Sequence, residues 1–165
     1  MPKEVVATIQ KRRGGTLLNL DRMLLNSPAY AVGWNSFLGA VRTGLSLDAR
    51  LRELAICVVA VLNRADYELV QHAPEFLAVG GTQAQLEAIN DVEAALANIA
   101  LFSDVERAVL DFTRQMTCNV QVSNVCFDRL KQVLPDAQQQ VELAGVIAAY
   151  NMVSRFLEAL QVAPE

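Results

Sequence analysis

From Leu54 to Leu62 the chain reads LAICVVAVL, nine residues without a charge. That is about half of what a bilayer core demands, so the run is not a membrane span. Extended back to Leu47 it predicts one helix that, past Glu53, is apolar around most of its girth. Such a helix has to sit at the centre with other helices around it. The segments on either side supply them. Residues 3–13 predict a short helix stopped by Gly14-Gly15, and Leu17 to Leu25 a second. Pro28 opens a third to about Val41, with Val32, Phe37, Leu38 and Val41 apolar; Trp34 and Phe37 share one face and read as packing residues. Ser46 is placed to cap the central helix. Beyond the turn Asn63 to Asp66 comes a helix that Gly80-Gly81 ends. Thr82 with Gln85 and Ser103 with Glu106 have capping-box spacing, Ser123 can cap a further helix, and Pro135 opens a last one to about Leu160. No stretch alternates as a strand would. The expectation is an all-α, single-domain chain over 1–165: an N-terminal helical extension (about 1–45), a core (about 46–100) and C-terminal helices (about 103–161).

The apolar content exceeds what one core of this size uses. Counting glycine and leaving out tyrosine, it is about 56%, against about 45–50% in ordinary globular chains. Permanent subunit interfaces resemble a core cut in half, so a homo-oligomer is expected. The net charge of −4 and the scattered basic residues argue against nucleic acid as a partner. The start, Met-Pro-Lys-Glu, lacks a charged-then-apolar signal pattern, which places the expectation in the cytoplasm with no membrane partner. Cys57, Cys118 and Cys126 are odd in number and show neither CxxC nor zinc-like spacing, so they read as reduced, mostly buried thiols.

The chemistry concentrates around the single histidine. Glu68 and His72 stand four apart, and residues i and i+4 of a helix share a face. A carboxylate beside an imidazole fixes its tautomer and favours its protonated form. Glu53, nineteen residues before His72, is a second acid on the neighbouring helix. The plainer reading of Glu53 is a structural ion pair with Arg50, Arg52 or Arg64, and that of Glu68 an ordinary helical neighbour. Tyr67, Tyr150 and Asn151 have polar tips able to line the same cavity; otherwise they are core rings and a backbone-bonded amide. No metal site is expected. Di-iron bundles use two Glu-x-x-His elements at i, i+3, whereas here one histidine stands at i+4. No phosphate loop or dinucleotide fingerprint is present, and no cofactor is expected.

Leu47 to Glu53 (LDARLRE), followed by Tyr67, Glu68, His72, Pro74 and Gly80, resembles the carboxymuconolactone decarboxylase family, which shares its fold with the alkylhydroperoxidase D proteins. The similarity extends upstream through Asn26 to Ala29 (NSPA) and downstream to Tyr150, Asn151 and Arg155. The resemblance implies an alkylhydroperoxidase D-like helical bundle, assembled as a trimer or hexamer. In alkylhydroperoxidase D the pattern is a glutamate, a CxxC pair and a histidine four residues after the second cysteine. Glu53 and His72 match the first and last of these, but the cysteine positions fall on Ala65 and Glu68. A dithiol peroxidase needs one thiolate to attack and another to resolve, so the resemblance implies the lactone-decarboxylase branch. The expected function is cofactor-free acid/base lyase or isomerase chemistry on a small carboxylated or lactone-like metabolite. Glu53, Glu68 and His72 would be catalytic, with Arg64 or Arg155 anchoring a substrate carboxylate. The alternatives are a peroxiredoxin-like antioxidant activity and a non-catalytic oligomeric binding or scaffold protein.

Overall fold

Polar side chains cut the chain into helices at points the sequence marks. The computed structural model describes residues 3–165, and among these it has ten helices and no strand. They are α1 (Lys3–Arg12), α2 (Asn19–Leu24), α3 (Pro28–Thr43), α4 (Ala49–Asn63) and α5 (Asp66–Ala78), then α6 (Gln83–Ala88), α7 (Val92–Ala97), α8 (Asp104–Asn119), α9 (Asn124–Val133) and α10 (Ala137–Ala159). Thr82 with Gln85 and Ser103 with Glu106 form the reciprocal capping boxes read from their spacing. Ser123 accepts from the Cys126 N–H. Gly80 ends α5's segment at φ +94°, a left-handed conformation that costs glycine little.

Two caps differ from expectation. Asp48, not Ser46, caps α4, its carboxylate accepting from the Arg50 and Leu51 N–H groups. Ser46 turns instead to Glu142 on α10, donating from both its N–H and its hydroxyl at 2.9 Å. Asp136, one residue past Pro135, caps α10. The carboxylate wins in both places because it accepts more strongly from the unpaired N–H groups of a first helical turn.

α4 is the axis of the fold. It packs against α5, α8 and α10, and every residue from Leu54 to Val59 is fully buried. One face (Leu51, Ala55, Ile56, Val59) joins the cluster shared by α1–α3 and α8–α10. The other (Leu54, Cys57, Val58) joins Phe76, Ile89, Phe102 and Leu110. Gly81 lies flat against Phe76: a Cβ there would come within 2.4 Å of the ring. On α3, Trp34, Leu38 and Val41 face inward at i, i+4, i+7, with Trp34 against the rings of Tyr30 and Phe156. Phe37, on the flank of that stripe, and Val32, on nearly the opposite side of α3, were expected inside and are about half exposed (49% and 53%). No described helix is long and apolar enough to cross a membrane.

Candidate active site

Glu53 stands one turn into α4, where that helix meets α5, and is buried at 4% exposure. Its Oε2 lies 2.8 Å from His72 Nδ1. A carboxylate only accepts, so Nδ1 carries the proton of this contact and Nε2 is left for a ligand. The other oxygen, Oε1, accepts from Arg52 Nε at 3.1 Å. Burial pushes the Glu53 carboxyl up, but the hydrogen bond and charge of His72, helped by Arg52, outweigh it and hold the group below its ordinary range. The imidazole meets the ring of Tyr150 edge-on, with centroids 4.8 Å apart at 87°. Tyr150 is fully buried, and its hydroxyl accepts from Arg42 Nε at 3.0 Å.

Glu68 is in a different state from Glu53. At 1% exposure it has no cationic partner among the described residues, and its Oε1 has no hydrogen bond at all. Its Oε2 is 2.6 Å from Ser154 Oγ, while that hydroxyl is also 2.9 Å from the Tyr150 carbonyl oxygen. A hydroxyl has one proton and a carbonyl can only accept. The one Ser154 proton serves either the Glu68 carboxylate or the Tyr150 carbonyl, and when it is on the carbonyl a Glu68 carboxyl that keeps its own proton donates to Oγ. Burial pushes Glu68 up to about 8, opposed by the Ser154 hydroxyl and the charge of Arg42, both of which favour the ionised form.

The expected Glu68–His72 pairing is thus corrected. Both side chains face one cavity, but the imidazole pairs with Glu53 across the helix–helix contact, and Glu68 pairs with Ser154 on α10. Nδ1 offers one hydrogen, and Glu53 takes it.

The cavity measures about 300 Å³. Arg42, Arg52, Glu53, Glu68, His72 and Tyr150 give it a polar wall, and Leu18, Leu20, Val153 and Leu157 an apolar one. Tyr67 also borders it, donating to Glu165 Oε1 at 3.1 Å, its phenol pushed up to about 12, first by burial. Arg64, Asn151 and Arg155 do not line it. Arg64 is the exposed left-handed residue (φ 54°) that closes α4. Asn151 donates to Thr117 Oγ1 and the Ile147 carbonyl and accepts from Asn63 and Arg155. The reason is rotational: neighbouring residues on a helix point about 100° apart, so α10 cannot aim both Tyr150 and Asn151 at one cavity. Arg155, at i+4 from Asn151, shares the wrong face, whereas Ser154, at i+4 from Tyr150, shares the right one. That spacing was the available signal for Ser154. Arg42 had none, being a lone arginine at the end of a helix.

None of the three cysteines lines this cavity. Cys57 and Cys126 are buried and Cys118 is exposed. Burial, first of all, pushes the Cys57 thiol up to about 12, with the Glu53 charge adding to it.

A family model, the carboxymuconolactone decarboxylase family, matches residues 28–115, more than half of the chain. The chain belongs to the carboxymuconolactone decarboxylase family. Arg42, Glu53, Glu68 and His72 all fall inside the matched stretch, while Tyr150 and Ser154 come from beyond it. Among curated proteins, none matches the sequence. Solved structures match closely in shape. A peroxidase-related protein from Silicibacter sp. TM1040 superposes with a TM-score of 0.84 at 19% identity, covering 99% of this chain and 86% of that one. An alkylhydroperoxidase AhpD core protein from Ralstonia eutropha JMP134, also peroxidase-related, gives 0.83 at 16%, covering 100% and 87%. The debrominase Bmp8, a cysteine-to-alanine variant in complex with 2,3,4-tribromopyrrole, gives 0.78 at 15%, covering 98% and 86%. At these identities the likeness concerns the fold: this family member is an all-α, alkylhydroperoxidase D-like bundle.

Proposed function

We propose that this family member is an acid/base enzyme, a lyase or isomerase, acting without a cofactor on a small carboxylated or lactone-like molecule. The observation that carries the proposal is the 2.8 Å Glu53–His72 contact at the wall of a ligand-sized cavity. With Nδ1 held by Glu53, Nε2 takes a proton from a carbon next to a carbonyl, and the electron pair moves toward the carbonyl oxygen. Glu53 balances the imidazolium that forms. In a decarboxylation the pair comes instead from the carbon–carboxylate bond as carbon dioxide leaves, and an imidazolium Nε2–H protonates the carbon. Glu68, neutral in the same cavity, is the second proton donor. Two carboxyls pushed in opposite directions by their surroundings divide such work naturally, and a positioned acid or base gives about a hundred- to ten-thousand-fold in rate.

The cavity also favours catalysis over a purely structural role, since a scaffold needs no hollow beside its one histidine. The peroxide reading finds less support: a thiol mechanism requires a thiolate at the site, and here the two motif positions hold Ala65 and Glu68. The proposal includes a cytoplasmic homo-oligomer, trimeric or hexameric, in which a second copy covers exposed side chains such as Tyr30 and Phe37 on α3. A screen of lactone acids and hydroperoxides against wild type, His72→Gln and cysteine-alkylated protein tests the function. Expected is turnover of a lactone or carboxylic acid that survives alkylation and falls at least a hundredfold in His72→Gln. A pH–rate profile indifferent to His72→Gln in a folded variant would overturn it.

A further inference from the structure

We infer that Arg42 is the anchor for a ligand carboxylate, and that the cavity selects small acids with an apolar body. The inference rests on the acid/base reading of the same cavity and adds the residue that recognises the substrate.

Charge balance leads to it. Arg12 and Arg13 both turn to the buried Asp21, at 3.4 and 3.0 Å, and Arg12 also donates to Asn35 at 2.7 Å. Arg52 is on Glu53. Arg42 makes no ion pair among the described residues; its one side-chain partner is the neutral Tyr150 hydroxyl, met through Nε. Arg12 and Arg13 therefore share one carboxylate, and Arg42 has none in contact. Burial, and after it the like charges of Arg13 and Arg42, lower the affinity of Arg12 for its own proton. No nearby acid is in ion-pair contact with Arg42: Glu68 turns to Ser154, Glu75 is exposed at the rim, and Glu165 accepts from Tyr67, Gln71 and the Asn19 N–H.

The geometry of Arg42 fits the role. Tyr150 occupies Nε and so fixes the guanidinium plane, which leaves the two terminal nitrogens as the fork a carboxylate bridges. The Tyr150 ring is also the one edge-on to His72, so an acid held by Arg42 is one ring away from Nε2. Leu18, Leu20, Val153 and Leu157 offer the apolar surface for the rest of the molecule. A volume of about 300 Å³ is at the small end of ligand sites and suits a single ring or a short unsaturated chain.

His72 is the only histidine, so its imidazole NMR signals need no assignment and report directly on this cavity. Benzoate and benzamide, matched in shape and differing in charge, are titrated into wild type, Arg42→Gln, Arg42→Lys and Arg155→Gln, with thermal unfolding as the fold control. Expected is a saturable His72 shift with benzoate at least tenfold tighter than with benzamide, a preference lost in Arg42→Gln and unchanged in Arg155→Gln. Lysine keeps the charge but not the fork, so Arg42→Lys should weaken benzoate severalfold; it decides the matter if the glutamine variant does not fold. Equal affinity for the two probes, no saturable shift with benzoate, or full benzoate affinity in either Arg42 variant would overturn the anchor. Arg42-dependent benzoate binding with no turnover in any screen would leave the anchor standing and sink the acid/base reading.

Discussion

Replacing Glu68 with glutamine should make the protein more stable, increasingly so as the pH rises. An unfolded glutamate ionises near 4.5, whereas native Glu68 keeps its proton to about 8. Between those values the unfolded chain has released a proton that the native chain retains. Stability contributed by the raised pKa is therefore complete below about 4.5 and lost as the pH climbs through 8, at about 1.4 kcal/mol per pH unit. The accumulated cost is about 3 kcal/mol at pH 7 and about 5 kcal/mol by pH 9. Glutamine has nearly the same shape, and its amide N–H can donate to Ser154 Oγ as the carboxyl does, but it does not titrate. Urea unfolding of wild type and Glu68→Gln at pH 5, 7 and 9 reads the difference. Near equality at pH 5 and a variant more stable by about 3 kcal/mol at pH 7 is expected. A difference that does not change with pH, or one that moves in favour of wild type at high pH, would refute the neutral carboxyl and with it the second proton donor.

Tyr150→Phe removes the oxygen on which Arg42 rests while keeping the ring against His72. The fold should tolerate it at a cost of about 1 kcal/mol, and benzoate binding should weaken because the guanidinium is no longer oriented; unchanged affinity by NMR titration would show that the hydroxyl positions nothing. Iodoacetamide at neutral pH should modify the exposed Cys118 first and leave Cys57 and Cys126 untouched until urea unfolds the chain, as peptide mass spectrometry would report. Ser103→Ala breaks a capping box and should cost about 1 kcal/mol in urea unfolding without altering the His72 signals.

The helical frame could be read from the sequence because its signals are local. Thr82–Gln85 and Ser103–Glu106 declare helix starts by spacing alone, and an all-apolar LAICVVAVL can only be a centre. Glu53 and His72 were legible as members of one site, since the resemblance supplied both positions. Their direct contact was not, because it depends on how α4 packs on α5, and i, i+4 spacing favoured Glu68 as the partner. The misplacement of Asn151 and Arg155 has a similar origin. α10 carries apolar residues around most of its circumference, so its pattern does not say which face meets the cavity; once Tyr150 is placed there, Ser154 and Val153 follow and Asn151 is excluded. Arg42 was invisible for a different reason. What marks it is a missing counter-charge, and that is a property of the folded surroundings rather than of any motif.

The pairing of His72 with Glu53 is the claim on which the proposed chemistry depends, and nitrogen-15 NMR of the lone imidazole measures it directly. In its uncharged form the ring should be the Nδ1–H tautomer, with a slowly exchanging, strongly downfield proton that disappears in Glu53→Gln. An Nε2–H tautomer, or an averaged pair of nitrogens exchanging freely with water, would contradict it.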